Sequence, residues 1–173
     1  MPVRHSEGIW EGTLKNGQGK MRIGSNGFEV DYSFPSRFDS SVGTNPEELL
    51  GAAHAGCFSM ALSLFVGEAG FTQSIIHTRA SVHLDKSTEG FAISRIELET
   101  TADIPGMDEQ AFMDIAEKAK TNCPVSRALA SVEISLDAKL ERDQSIGRSV
   151  VEKPEEDFSR APAEKPRSTD MPK

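Results

Sequence analysis

Apolar and polar residues alternate in three short runs over the first third of the chain: Ile9 to Leu14, Lys20 to Ile23, and Phe28 to Phe34. The pairs Asn16-Gly17 and Asn26-Gly27 separate them. Period-two alternation between Asn-Gly turns predicts a three-stranded antiparallel meander, because successive side chains of a strand face opposite ways. At Asn45-Pro46-Glu47-Glu48 the period changes. Asn45 suits a helix N-cap, Pro46 the first helical position, and two glutamates complement the positive end of the helix dipole. The apolar set Leu49, Leu50, Ala53, Cys57, Met60, Ala61 and Leu64 then recurs at helical spacing until Gly67 and Gly70. It predicts one long helix with Cys57 in the middle of its buried face. The small-residue stretch Gly51-Ala52-Ala53-His54-Ala55-Gly56 predicts close approach by another backbone.

Two more alternating runs follow, Ile76 to Leu84 and Phe91 to Thr100, which predict a hairpin with Ile76, Thr78, Ala80, Val82, Leu84, Ile96 and Leu98 inward. After Ile104-Pro105-Gly106, Asp108 suits the cap of a second helix with the stripe Ala111, Phe112, Ile115, Ala116 and Ala119. That helix stops at Asn122-Cys123, because the residue before Pro124 is pushed out of helical geometry. A short helical restart and a last strand, Ser131 to Leu140, complete the order βββ-α-ββ-α-β. The expectation is an α+β fold, an antiparallel sheet around a long central helix, over residues 1–142. Residues 143–173 are rich in proline and charge and poor in large apolar side chains, which predicts a flexible tail.

Length and charge narrow the function. A chain of 173 residues is long enough for one domain with a real core. Its net charge is −8 and its 19 Lys and Arg are scattered, which argues against nucleic acid or anionic lipid as partner. Residues 1–30 are too polar for a secretory signal and no segment reads as a membrane span, so a soluble, cytoplasmic protein is expected.

The two cysteines are too few for a disulfide framework and too far apart in sequence for a CxxC motif or a zinc knuckle. If they do chemistry, the fold brings them together. A thiol attacks as thiolate, so it needs positive charge or a helix start nearby. Cys123 directly precedes a restarting helix and is the local nominee for the more acidic thiol. Cys57 sits mid-helix and needs a cation from another segment. Arg37, in Phe34-Pro35-Ser36-Arg37-Phe38, is the candidate, and Glu47 the carboxylate to hold its fork.

The stretches Gly43-Thr44-Asn45-Pro46-Glu47-Glu48-Leu49-Leu50-Gly51-Ala52-Ala53-His54-Ala55-Gly56-Cys57-Phe58-Ser59-Met60-Ala61-Leu62 and Asn122-Cys123-Pro124-Val125-Ser126-Arg127-Ala128-Leu129 closely resemble the osmotically inducible protein C and organic hydroperoxide resistance family. The Phe-Pro-Ser-Arg-Phe context resembles its osmotically inducible branch. The resemblance covers roughly Ile9 to Leu140. It implies an intertwined homodimer with two sites at the subunit interface and a thiol peroxidase for organic hydroperoxides. Cys57 is then peroxidatic and Cys123 resolving, which reverses the local nomination; Arg37 stabilises the Cys57 thiolate and Glu47 holds Arg37. The implied chemistry needs no metal or flavin, only an external dithiol reductant, by resemblance a lipoylated protein. Phe38, Phe58 and Met60 suggest an alkyl or lipid hydroperoxide as substrate.

Plainer readings stand beside these. A cysteine on an apolar helix face is ordinarily a small hydrophobe, and Cys123 alone reads equally as a cap or half of an inert bridge. Arg37 at a strand end and Glu47 in a first turn are explained without function by solvation and by the helix dipole. His54, one turn before Cys57, reads as a packed or interface histidine rather than half of a Cys-His dyad. His77 and His83 lie on an outward strand face and are assigned no site. The rival functions are a non-enzymatic module that binds a small hydrophobic ligand or responds to redox state and, behind it, a thiol-transfer enzyme.

Overall fold

A computed structural model describes residues 2–24, 27–39, 42–72, 74–88 and 90–141. Asn26 of the second expected turn and the expected tail, 143–173, lie outside the described residues. The first three strands, β1 (Ser6–Glu11), β2 (Gln18–Ile23) and β3 (Phe28–Ser33), form the expected antiparallel meander. Gly19 is required there, because a Cβ would stand 2.3 Å from the ring of Tyr32. Tyr32 crosses the sheet to donate its hydroxyl to the Ile9 carbonyl at 3.2 Å and packs on Trp10.

The central helix, α1 (Pro46–Glu68), starts as the sequence predicts, with the Asn45 side chain accepting from the Glu48 amide at 2.8 Å. A second sheet follows: β4 (Ile75–Ser87) pairs antiparallel with β5 (Gly90–Asp103), and β5 pairs with β6 (Glu133–Leu140). The β5–β6 pair is parallel, Leu98 beside Leu136, so this sheet is mixed where antiparallel order was expected throughout. The connection explains it: α2 (Glu109–Asn122) and α3 (Pro124–Ala128) carry the chain back over the sheet before β6 begins, as a crossover must. The six strands among the described residues form two three-stranded sheets.

The core lies between the second sheet and the helices. Phe58, Leu62 and Val66 of α1, Leu98 and Ala102 of β5, Phe112, Ala116 and Ala119 of α2, and Cys123 are all buried in it. Burying a side chain such as Phe58 stabilises the fold by roughly 1.5–3 kcal/mol. The inward face of α1 differs from expectation. It runs through Gly51, His54, Phe58, Leu62 and Val66, while Met60 and Leu64 are 76% and 59% exposed. The helix is apolar nearly all round, so periodicity alone could not orient it; the bulky side chains that meet the sheet and the hydrogen bond of His54 do. Gly51 is where the predicted close approach occurs, since a Cβ there would lie 3.1 Å from the Ala80 carbonyl of β4. Contrary to the expectation that no segment suits a bilayer, α1 is long and apolar enough to cross one. Here it packs against β4, α2 and α3.

Candidate active site

The site begins with how the chain enters α1. A single 3₁₀ turn, Pro35–Arg37, follows β3, and the Ser36 hydroxyl donates to the Thr44 carbonyl at 2.7 Å. The Asn45 amide nitrogen donates to the Ser36 carbonyl at 2.8 Å while its oxygen caps the helix. These bonds lash the turn to the helix start. Arg37 therefore points at Glu47, making Nε–Oε2 and Nη2–Oε1 contacts of 3.2 and 2.5 Å. The two-pronged pair joins exactly the residues that the sequence put together. Beside it Phe38 packs between Phe34 and Phe91, each at 5.0 Å between ring centres, and Phe38 and Phe91 are half exposed.

Arg37 and Cys57 are not brought together within the chain. Glu47 precedes Cys57 by ten helical residues, about 15 Å of rise at 1.5 Å per residue. Cys57 instead meets Cys123. The turn between α2 and α3 places Cys123 as the last cap of one helix and the first of the next, its amide donating to the Ala119 carbonyl at 2.8 Å. Both cysteines are free thiols, Cys57 partly exposed and Cys123 fully buried.

Their environments separate the two thiols. Burial pushes the Cys57 thiol up; the Val125 amide offsets part of this, and the adjoining Cys123 sulfur adds to the rise. Burial opposes ionisation of Cys123 too. There it is outweighed by the neighbouring Ser126 amide, the Cys57 thiol, the Ser126 hydroxyl and the Val125 amide, which favour the thiolate, and Cys123 lies below its ordinary value. Within one chain the local nomination of Cys123 as the more acidic thiol thus agrees with the geometry.

His54 is wholly buried and its Nε2 lies 2.8 Å from the Ser126 hydroxyl, which brings α1 and α3 together behind the thiols. Burial lowers its pKa, so the ring is neutral. Ser126 was not singled out from sequence, although it stands one turn after Cys123, as His54 stands one turn before Cys57. That matched spacing was the available signal. His83 meets Glu97 of the facing strand at 2.9 Å on the surface. Phe58, considered for the substrate, fills the core. Among the described residues no group of three His, Cys, Asp or Glu stands close enough to hold a metal ion. A hollow of about 470 Å³ on the first sheet, lined by Ile9, Lys20, Tyr32 and Val42 among others, includes neither thiol.

The family model described as OsmC-like protein matches residues 38–137. Peroxiredoxin OsmC of Escherichia coli (strain K12) is 52% identical over 132 residues, 76% of this chain and 92% of that protein. Organic hydroperoxide resistance protein OhrB of Bacillus subtilis (strain 168) is 31% identical over 114 residues, 64% and 82% of the two chains. Among solved structures, an organic hydroperoxide resistance protein from Elizabethkingia anophelis superposes with a TM-score of 0.60 at 25% identity, covering 82% of this chain and 99% of that one.

Proposed function

The chain belongs to the OsmC-like protein family, and from that premise we propose that it is a thiol peroxidase reducing organic hydroperoxides, with Cys57 attacking and Cys123 resolving. The observation that carries the reading is the meeting of two thiols remote in sequence, one reachable and one buried. Acidity favours Cys123 as nucleophile and access favours Cys57. Access decides, because a peroxide cannot reach a sulfur with no exposed surface, whereas a charged neighbour can still be added to Cys57.

That neighbour is Arg37 of a second copy. The exposed apolar face of α1, with Met60 and Leu64, supports an isologous homodimer in which α1 packs on its partner. Such a pairing would bring each Arg37–Glu47 pair, with the Phe34, Phe38 and Phe91 rings beside it, to the other subunit's Cys57. The guanidinium would favour the thiolate and the rings would bury an alkyl tail, which favours organic hydroperoxides over hydrogen peroxide.

The chemistry balances without a metal. The Cys57 thiolate attacks one peroxide oxygen, the O–O bond breaks, and the leaving alkoxide takes a proton to become the alcohol. Sulfur is oxidised to sulfenic acid as the peroxide is reduced. The Cys123 thiolate then attacks the Cys57 sulfur, the S–O bond breaks, and hydroxide leaves with a proton as water. A dithiol reductant, of which a lipoylated protein is one, restores both thiols and becomes a disulfide itself. The reducing cytoplasm suits a resting dithiol state.

The test is consumption of cumene hydroperoxide by reduced protein with dihydrolipoamide. Cys57→Ser is expected to abolish even the first turnover, and Cys123→Ser to consume one equivalent and then stall. A single-turnover burst in Cys57→Ser would reverse the roles, and no consumption by the reduced parent protein would overturn the reading.

A further inference from the structure

Three hydroxyls lie where α1 meets the second sheet, and the peroxidase reading uses none of them. Ser59 of α1 donates to Thr78 of β4 at 2.8 Å, Thr78 stands 3.0 Å from Thr100 of β5, and Thr100 donates to the His77 carbonyl at 3.1 Å. Each hydroxyl carries one proton. Thr100 gives its proton to the carbonyl and so accepts from Thr78, and Thr78, its proton thus committed, accepts from Ser59. Thr78 and Thr100 pair across the two strands on their inward faces, in line with Ala80 and Ile76 and with Leu98 and Ala102, where apolar side chains would pack as well. Buried polar groups in place of apolar ones add little stability, and their best-attested use is to specify one alignment of packed elements.

The central helix needs such a device. It is apolar nearly all round, with Met60 and Leu64 outward and Phe58, Leu62 and Val66 inward. Bulky side chains choose the face that meets the sheet, but apolar attraction is non-directional and leaves the last degrees of rotation open. Hydrogen bonds are directional. Cys57 lies between two of them: His54, three residues before it, meets the Ser126 hydroxyl of α3 at 2.8 Å, and Ser59, two residues after it, meets β4. At roughly 100° per residue these side chains leave the helix about 140° apart, so α1 is held from two sides. Rotation matters to the thiol. A Cβ rides about 3.3 Å from the helix axis, so a turn of about 20° moves it about 1 Å, the whole width of the Cβ–Cβ window of roughly 3.5–4.5 Å that a disulfide accepts.

We propose that Ser59 and Thr78 are positioning residues for disulfide formation: their hydroxyl chain, anchored through Thr100 on the His77 carbonyl, sets the rotation of α1 at which Cys57 faces Cys123. Cys57 packs against the core that holds Cys123. Both hydroxyls act through the helix rather than on a sulfur, and neither moves a proton. This role rests on the Cys57–Cys123 pairing of the peroxidase reading. Other contacts of α1 do not duplicate it. Gly51 sets how near the helix comes to Ala80 but has no side chain to fix rotation, and Lys118, over the Phe65 ring and paired with Glu68, acts at the C-terminal end of the helix.

Exchange with glutathione reads the pairing without peroxide: the two protein thiols lose two electrons and two protons as one S–S bond forms, and one oxidised glutathione is reduced to two thiols. Equilibrated in such mixtures, Thr78→Val, which keeps the shape and loses the hydroxyl, is expected to lower the equilibrium constant for the Cys57–Cys123 disulfide about tenfold, or about 30 mV. Ser59→Ala should fall by a similar factor, and the double variant no further than Thr78→Val alone, because both cut one chain. Thr78→Ser, which keeps the hydroxyl, should stay with the parent. Urea midpoints of the reduced variants should stay near the parent's, since Thr100 keeps its bond to the carbonyl and the half-buried Ser59 can turn to its own helix. A Thr78→Val constant equal to the parent's, or a Thr78→Ser loss as large as that of Thr78→Val, would overturn the proposal. Should Thr78→Val fail to fold, Ser59→Ala decides in its place, a tenfold loss for and no loss against. A parent that forms the disulfide but consumes no hydroperoxide would overturn the peroxidase reading and leave this role of the hydroxyls standing; a parent that forms none in any mixture would overturn both.

Discussion

Arg37 grips Glu47 with two nitrogens at the first turn of α1, and the same helix presents Cys57 ten residues further on, out of its reach. If Arg37 serves this cysteine, as proposed above, it does so from another subunit. Arg37→Met is expected to lower kcat/KM for an alkyl hydroperoxide about 100-fold, the usual loss when one charged donor to a reacting group is removed. Arg37→Lys should recover little, since a point charge cannot bond carboxylate and thiolate at once. The sharper measurement mixes chains. Heterodimers of Arg37→Met with Cys57→Ser assemble one site with both residues intact, so activity should return to well above that of either variant. Activity no higher than the two parents would mean that Arg37 works within its own chain or not at all.

Asn45 carries two jobs, capping α1 through the Glu48 amide and holding the Ser36 carbonyl of the Arg37 turn, each at 2.8 Å. Asn45→Ala is expected to cost about 1–2 kcal/mol of stability, the usual loss of a cap. It should also weaken turnover, because the turn that aims Arg37 loses its tie. Asn45→Asp separates the jobs: it keeps the cap acceptor and removes the donor to Ser36. Chemical denaturation should find it near the parent while kcat/KM falls; unchanged kcat/KM in both variants would show that the turn holds Arg37 without Asn45.

Most elements were legible because local chemistry fixes them. Asn45-Pro46 and Asp108 cap helices where the sequence places caps, and Pro124 ends α2 where proline must. The Arg37–Glu47 pair was legible from the complementary shapes of fork and carboxylate near one helix start. What was not legible depends on contacts between distant segments. The face of α1 was misjudged because Ala, Gly, Met and Leu surround it, so no stripe is distinguished by polarity, and the deepest polar residue, His54, is buried through a hydrogen bond that sequence does not display. The parallel β5–β6 pair follows from the path of α2 and α3 over the sheet, which period-two alternation cannot reveal.

Gly51 tests how tightly α1 lies on β4. Its Cβ position stands 3.1 Å from the Ala80 carbonyl and 3.5 Å from a methyl of Val82, and a backbone carbonyl in a paired strand has little room to yield. Gly51→Val is expected to destabilise by about 1–3 kcal/mol through overpacking. Since the helix would be levered off the sheet near His54, the rate of disulfide formation between Cys57 and Cys123 should fall as well. A denaturation midpoint equal to the parent's would show that α1 does not seat here in solution.

His54 also makes stability depend on pH with a definite sign. Burial lowers its pKa from 6.5, so the folded protein keeps the ring neutral while the unfolded chain takes up a proton below that value. The unfolded state therefore binds more protons at acid pH, and stability must fall as pH drops below about 6.5, by no more than about 1.4 kcal/mol per unit from this group. Above 6.5 both states are neutral at His54 and the dependence vanishes. The exposed Glu97, whose carboxyl is held low by His83 and then Arg95, acts in the same direction only at more acid pH, below its ordinary 4.5. Urea midpoints of the reduced protein at pH 8, 7, 6 and 5 should thus be flat and then decline, and His54→Gln, which cannot titrate, should remain flatter between 6.5 and 5. Parallel curves for the two proteins would mean that His54 becomes protonated in the folded state.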